Sequence, residues 1–478
     1  MDDTPMFPRW QRRWALPRLA GPLATLRRCT LDQLEDRLGP LLAGLPALAG
    51  AAAPARERPY SVRRTWWCFL WQMLQRNVAC RAVVRQLQAM LAVEGRPLVD
   101  EGTSGYCPAR ARVPLALCQA AFGASAQAAI QRAGPSSALQ GRAIKVLDGT
   151  TLVLPDTPAN QGAYPQSRSQ APGCGFPQLN LLVVWHAASA ALIELAHGDQ
   201  HHSEQRLLHA LGNTFAAKDI LVYDRAAGHY VAAALLAARG VDLISRVHTR
   251  RVDWRRGQRL GADERQVDWP KSRERPPYLS AAQWDALPAF QPVRLIRVVI
   301  RQKGFRTRVL GLVTTLLDAQ AYPAAEIADA YLRRWRLEMC LDDLKTTLGL
   351  DALRCQSPAM IERELLLLLT THNLVRAVMA EAGAAHGIPI ERLSFTGSLA
   401  ALRTYCAASA QVRTAKARST LWTAMLRAIA ADPVPLRPNR WEPRAVKRRP
   451  KSYFPLNRPR HLYRQRRHGS LYRRVSTT

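Results

Sequence analysis

Ala-Ile-Lys-Val-Leu-Asp at 143–148 and Asp-Ile-Leu-Val-Tyr-Asp at 219–224 are short apolar runs that each close on a carboxylate. A run of this length bounded by polar residues reads as a buried strand. Around them, Asn180–His186 and Ala191–Ala196 read as two further strands. A helical stretch led by Ser203 reaches about Phe215, a second helix through Leu235–Arg239 stops at Gly240, and Val241–Ser245 is strand-like again. The order from 143 to 245 is strand, strand, strand, helix, strand, helix, strand.

That order predicts an α/β ribonuclease-H-like sheet as the catalytic core. Residues 246–320 are rich in Arg, Trp and Pro and then alternate apolar with basic at Arg294–Arg301 and Arg306–Thr314, which predicts a β-rich insertion. A long helix follows, with Pro323 in its first turn and Gly349 past its last. The expected organisation is a helical amino-terminal domain over 1–135, the ribonuclease-H-like domain over 136–375, a helical region over 376–436 and a basic extended arm over 437–478. In the first of these, Trp66, Trp67, Phe69, Leu70 and Trp71 read as a helix core.

The 478 residues hold 68 Lys and Arg against 36 Asp and Glu, a net charge of +32. An excess of that size points to a polyanionic partner, above all nucleic acid. Residues 437–478 carry fourteen Lys and Arg against Glu442 alone and are broken by five prolines, which suits an extended arm that touches phosphate. The rest of the chain, with 54 basic and 35 acidic residues, is basic as well. Hydrophobic residues make up 48%, enough for real cores and too many for a disordered basic tail protein. Nine cysteines without a Cys-x-x-Cys pair exclude a zinc ribbon and a disulfide framework and suit a reducing cytoplasm. Leu179–Ala196 is broken by Asn180, His186 and Glu194, so no membrane span is expected.

If the strands closing on Asp148 and Asp224 are central neighbours, their carboxylates meet at one edge of the sheet. Phosphodiester chemistry uses such a pair, because hard oxygen ligands hold the divalent ions that activate one oxygen and stabilise another. A third acid comes from the long helix. At about 100° per residue, Tyr331, Arg334, Glu338 and Lys345 fall within about 60° of arc. Leu337, Leu341, Leu344 and Leu348 form an adjacent apolar stripe suited to packing on the sheet. Read alone, the helix is also an ordinary amphipathic one with an Arg–Glu pair at i, i+4 spacing. Asp342 and Asp343 are rival acids on it.

With these residues in view, the chain resembles the bacterial DDE transposases of the insertion sequence 4 family. Their Tyr-x2-Arg-x3-Glu-x6-Lys signature stands here without gaps as Tyr331, Arg334, Glu338 and Lys345. Asp148-Gly149-Thr150 and Tyr223-Asp224-Arg225 look like the settings of the two catalytic aspartates, and the likeness runs from about residue 60 to 450. The resemblance implies that Asp148, Asp224 and Glu338 bind two Mg²⁺ or Mn²⁺ ions. It implies cleavage at the ends of an insertion sequence and joining of the freed 3′-hydroxyls to target DNA, with Arg334, Lys345 and Tyr331 against the DNA strand. The expected partners are duplex DNA, as terminal inverted repeats bound by the helical amino-terminal DNA-binding domain over 1–135 and as target, and a second copy of the chain on paired ends, in the bacterial cytoplasm at the nucleoid. A metal-dependent nuclease that cannot join ends and an inactive DNA-binding protein are the rival readings.

Some family members flip a base onto a tryptophan of the insertion. Trp254, Trp269 and Trp284 are available for this, with Trp269 the best placed, and an indole packing the insertion's own core fits the same pattern. His197, His201, His202 and His209 with Glu204 lack the paired spacing of a zinc site and read as a loop and helix start.

Overall fold

The strands read from residues 143–245 form one side of a nine-stranded mixed sheet in the order β3-β2-β1-β4-β5-β9-β8-β7-β6. The computed structural model describes residues 38–42, 45, 59–93, 95–135, 138–247, 252–299, 309–409, 412, 414–435 and 456–463. The predicted basic arm therefore falls outside the described residues except for 456–463. β1 (Ile144–Val153), β2 (Gln178–His186) and β3 (Ala191–Gly198) run antiparallel in sequence, whereas β1, β4 (Ile220–Tyr223) and β5 (Asp242–Arg246) are parallel neighbours. Three antiparallel strands followed by two parallel ones is the ribonuclease-H-like arrangement that the element order predicts.

Two findings adjust the expected strands. Asp148 does not end β1, which continues to Val153 paired with β2. It lies instead just past the point where β1 leaves β4, because the β1–β4 ladder stops at Val146 and Val222. The insertion is β-rich as expected, with β6 (Gln258–Gly261), β7 (Glu264–Pro270), β8 (Phe290–Val299) and β9 (Val309–Thr314), but these strands extend the core sheet. β9 pairs antiparallel with β5 and carries the other three beyond it. Arg294 of β8, fully buried, ties β7 to the segment ahead of the long helix through Glu264 at 2.6 Å and the Tyr322 carbonyl at 2.7 Å.

Period-two alternation divides the core between the two faces of the sheet. Leu147, Leu221, Tyr223 and Leu243 pack with Leu207, Leu208, Ala233 and Leu236 of helices Glu204–Ala210 and Tyr230–Ala237. Ile144, Val146, Ile220, Val222 and Ile244 face the opposite way, into the large core that also contains Leu337, Leu341, Leu344 and Leu348. The predicted apolar stripe of the long helix is therefore the surface that seats on the sheet.

On that same face the amino-terminal helices α1 (Val62–Leu74), α2 (Cys80–Val93), α3 (Tyr106–Arg112) and α4 (Leu115–Ala133) join the core. Trp66 and Trp67 are buried edge to face at 4.9 Å, as a helix core should be. A helix over Pro358–His386 runs through the middle, with Leu365, Leu367, Leu368 and Leu369 fully buried. By length and composition it could cross a membrane, yet 94% of its apolar window is buried inside the fold. Its Asn373 accepts from Leu192 N and donates to Leu192 O, both at 2.8 Å, so the amide supplies an edge strand with the partner it lacks. Helices Phe395–Ser409 and Ala415–Ala430 follow it in the chain.

Candidate active site

The site is built on register. Val146 pairs with Val222 as the last step of the parallel β1–β4 ladder, and Asp148 and Asp224 each lie two residues past that pair, both close enough to act on the Tyr223 phenol. Both share parity with the residues that face the long helix, and both are half-buried. Gly149 N donates to Asp148 Oδ1 at 3.0 Å, and Ala226 N donates to Asp224 Oδ1 at 2.7 Å. The second contact makes Asp224 the cap of the short turn Arg225–Ala227, which holds its carboxylate at the mouth of the sheet. The negative charge of the pair is felt next door. Burial pushes the Tyr223 phenol far up, and the Glu204, Asp224 and Asp148 carboxylates push it further.

The third strand adds a cation. Tyr223 pairs with Ser245 in the β4–β5 ladder, so the next step places Arg246 beside Asp224, on the same face by parity. Arg246 was missed in the sequence because the strand was read only as far as Ser245. The rule that parallel neighbours align at their carboxyl ends was the available signal.

The long helix crosses over these strand ends as α5 (Ala324–Asp342), continued by a π-turn (Asp343–Thr347). Tyr331 is 2% exposed and Arg334 9% exposed, with the guanidinium 5.7 Å from the ring centroid. Burial raises the Tyr331 phenol, while the cations Arg334 and Arg246 pull it down and Asp224 pushes it up. Tyr331, Arg334, Arg246 and Asp224 therefore share one electrostatic environment. The main chain of Glu338 lies one turn further along α5, and its side chain falls outside the described residues. Among the described residues, no three His, Cys, Asp or Glu side chains gather as a metal-holding group.

The helix is not regular to Gly349, and this changes the expected geometry of Lys345. Leu348 N donates to Asp343 O at 3.0 Å, an i to i+5 bond, so Lys345 sits inside a widened turn. The 100° step that aligned it with Tyr331 fails there. Asp343, one of the rival acids, is engaged elsewhere: Arg376 Nη2 reaches its Oδ2 at 3.1 Å. Gly349 then takes φ +84°, the left-handed stop expected of a glycine past the last turn.

The insertion tryptophans are all partly buried. Trp269 packs between two apolar clusters, Trp254 lies under Arg297 and Trp284 under Lys271. The histidines are dispersed: His202 pairs with Asp199 at 2.7 Å, His197 lies against Tyr164 and His209 against Tyr278.

Residues 139–374 match the family model described as the transposase DDE domain. The chain is 26% identical over 380 residues to the transposase InsG for insertion sequence element IS4 of Escherichia coli, covering 78% of this chain and 82% of that protein. It is 25% identical over 264 residues to the transposase for insertion sequence element IS421 of Escherichia coli, covering 49% of this chain and 66% of the relative. Among solved structures, the piggyBac transposase synaptic complex with hairpin DNA superposes with a TM-score of 0.41 at 8% identity, over 84% of this chain and 82% of that one. The matched domain, residues 139–374, holds Asp148, Asp224, Arg246 and the signature helix, and over most of its length the chain is similar to the transposase of insertion sequence element IS4.

Proposed function

We propose that this transposase cleaves phosphodiesters at the ends of an insertion sequence and joins the freed 3′-hydroxyls to target DNA. The observation that supports the reading is that Asp148 and Asp224 each lie two residues past the last β1–β4 pair, on the parity of the strand residues that share a core with the helix bearing Glu338. Two half-buried carboxylates on adjacent strands form a hard, anionic donor set suited to Mg²⁺ or Mn²⁺. Asp148, Asp224 and Glu338 would hold two such ions, whose charge favours the attacking and leaving oxygens of an in-line displacement.

The remaining groups position DNA. Arg246 and Arg334 set positive charge against the aspartates, where a scissile phosphate would otherwise be repelled. Tyr331 and Arg334 are too buried to sweep across a DNA surface, so they present a fixed wall for the strand. Lys345 reaches phosphate from the widened turn further along. Trp269 is the stacking platform of the insertion, and opening its packed surface accompanies the capture of a displaced base. Paired ends call for a dimer, acting in the cytoplasm on the nucleoid.

Strand-transfer assays with precut ends test the reading against a nuclease that only cuts. Joined products, lost in Asp224→Asn while duplex binding persists, are the expected result. Cleavage without joining supports the nuclease, and binding without either reaction supports an inactive DNA-binding protein.

A further inference from the structure

We infer that Arg76 and Arg403 form a phosphate-binding site for the DNA backbone, at the seam between the amino-terminal helices and the carboxy-terminal helical region. The inference rests on the proposed action on DNA and adds a site outside the DDE signature.

The first observation is a strained turn. After α1 ends, Arg76 and Asn77 take φ +60° and +51° in succession, a conformation that residues with side chains rarely hold twice running. The turn is held from below. Asn77 is buried, and its Nδ2 donates to Oε1 of the fully buried Glu364 at 2.6 Å. That carboxylate also accepts from Arg354 N and Cys355 N, both at 2.9 Å, so it is fixed in turn. The result is an exposed Arg76 projecting from a rigid base. It leans on the end of the signature helix, where a Cβ on Gly349 would lie 3.6 Å from Arg76 Cγ.

The second observation is a neighbouring cation with unused donors. Arg403 Nε donates to Leu74 O at 2.6 Å, two residues before Arg76, while its Nη2 is buried without a hydrogen-bond partner. Burial and the nearby Arg76 both disfavour its charge. Among the described residues no carboxylate pairs with either guanidinium. Arg403 thus reaches the chain two residues before Arg76, and neighbouring cations without a counter-charge are relieved by an anion that joins them.

One effect opposes the site. The carboxyl end of α1 contributes about half a negative charge at Leu74. Two guanidiniums outweigh it, and Arg403 already caps that carbonyl. Arg76 lies against Gly349, four residues past Lys345, so a phosphodiester bound there would lie beside the end of the signature helix.

The test measures binding of a fluorescent mixed-sequence duplex by the full chain over a range of KCl concentrations. Arg76→Gly keeps the turn, because glycine accepts positive φ without strain. We expect it to weaken binding about tenfold and to flatten the log–log salt slope by about 0.9, the loss of one phosphate contact. Arg76→Lys should keep the slope. Unfolding in sulfate supplies the second arm, and sulfate should stabilise the wild type more than Arg76→Gly. If sulfate does so while the duplex slope is unchanged, the site takes free anions and the DNA assignment is overturned. An unchanged slope with no difference in sulfate overturns the site altogether. A wild type without salt-dependent duplex binding overturns the transposase reading itself.

Discussion

Asp343→Asn tests how the signature helix is held over the sheet. Asp343 opens the π-turn, its side chain is 25% exposed, and Arg376 meets it at 3.1 Å. Burial pushes the carboxyl from its ordinary 3.8 up to about 6, overriding the pull of the guanidinium. The sign follows from linkage: a carboxyl raised on folding favours the protonated native state. Its contribution is therefore full below about pH 3.8 and is lost as pH rises through about 6. At 1.36 kcal/mol per tenfold change the interval corresponds to about 3 kcal/mol, which partial solvation reduces to about 2 kcal/mol. Asparagine removes the ionisation while still accepting from Arg376. Urea unfolding should show the variant gaining about 2 kcal/mol on the wild type between about pH 4 and about pH 7. Comparing the two proteins at each pH cancels the other titrating groups. Parallel pH curves would refute the reasoning, and a variant that falls behind as pH rises would show that the ion pair with Arg376 outweighs burial.

The other predictions concern the site and its supports. Asp148→Ala, Asp224→Ala and Glu338→Ala should each reduce end cleavage by more than about a hundredfold with duplex affinity preserved, and full cleavage in any one removes that residue from the metal site. Lys345→Ala should weaken duplex binding about tenfold and flatten its salt dependence by about one phosphate contact, measured by fluorescence anisotropy; unchanged binding and cleavage reject its role. Glu364→Ala strands the donors of Asn77, Arg354 and Cys355, so urea unfolding should show a loss of at least about 3 kcal/mol. A loss under about 1 kcal/mol would mean that the turn holding Arg76 does not depend on that carboxylate.

What was legible in the sequence depended on whether the governing rule was local. Ala143–Asp148 and Asp219–Asp224 could be read as strands because an apolar run of that length has few other uses, and parity then aimed both aspartates at one face. The apolar stripe on α5 was legible for the same reason. The rest was set by partners distant in the chain. Nothing within residues 309–314 says that they will pair with β5, yet that single edge contact merges the insertion with the core sheet. Arg246 was missed by one residue, because a strand's end shows only against its neighbour.

The π-turn marks the limit of periodic reasoning most sharply. Arithmetic at 3.6 residues per turn assumes the same step at every position, and it holds from Tyr331 to Glu338, where α5 is regular. It fails at Lys345, which lies inside the widened turn that Leu348 N closes on Asp343 O. A signature written as fixed spacings therefore does not translate into a fixed angle at every position. Tyr331 and Arg334 lie on the regular helix, whereas Lys345 lies on the widened turn whose first residue, Asp343, meets Arg376. Lys345 is then the member of the signature most open to adjustment by substitutions at Arg376 and Asp343. Its distance from the aspartates can be tuned without altering the residues that hold them.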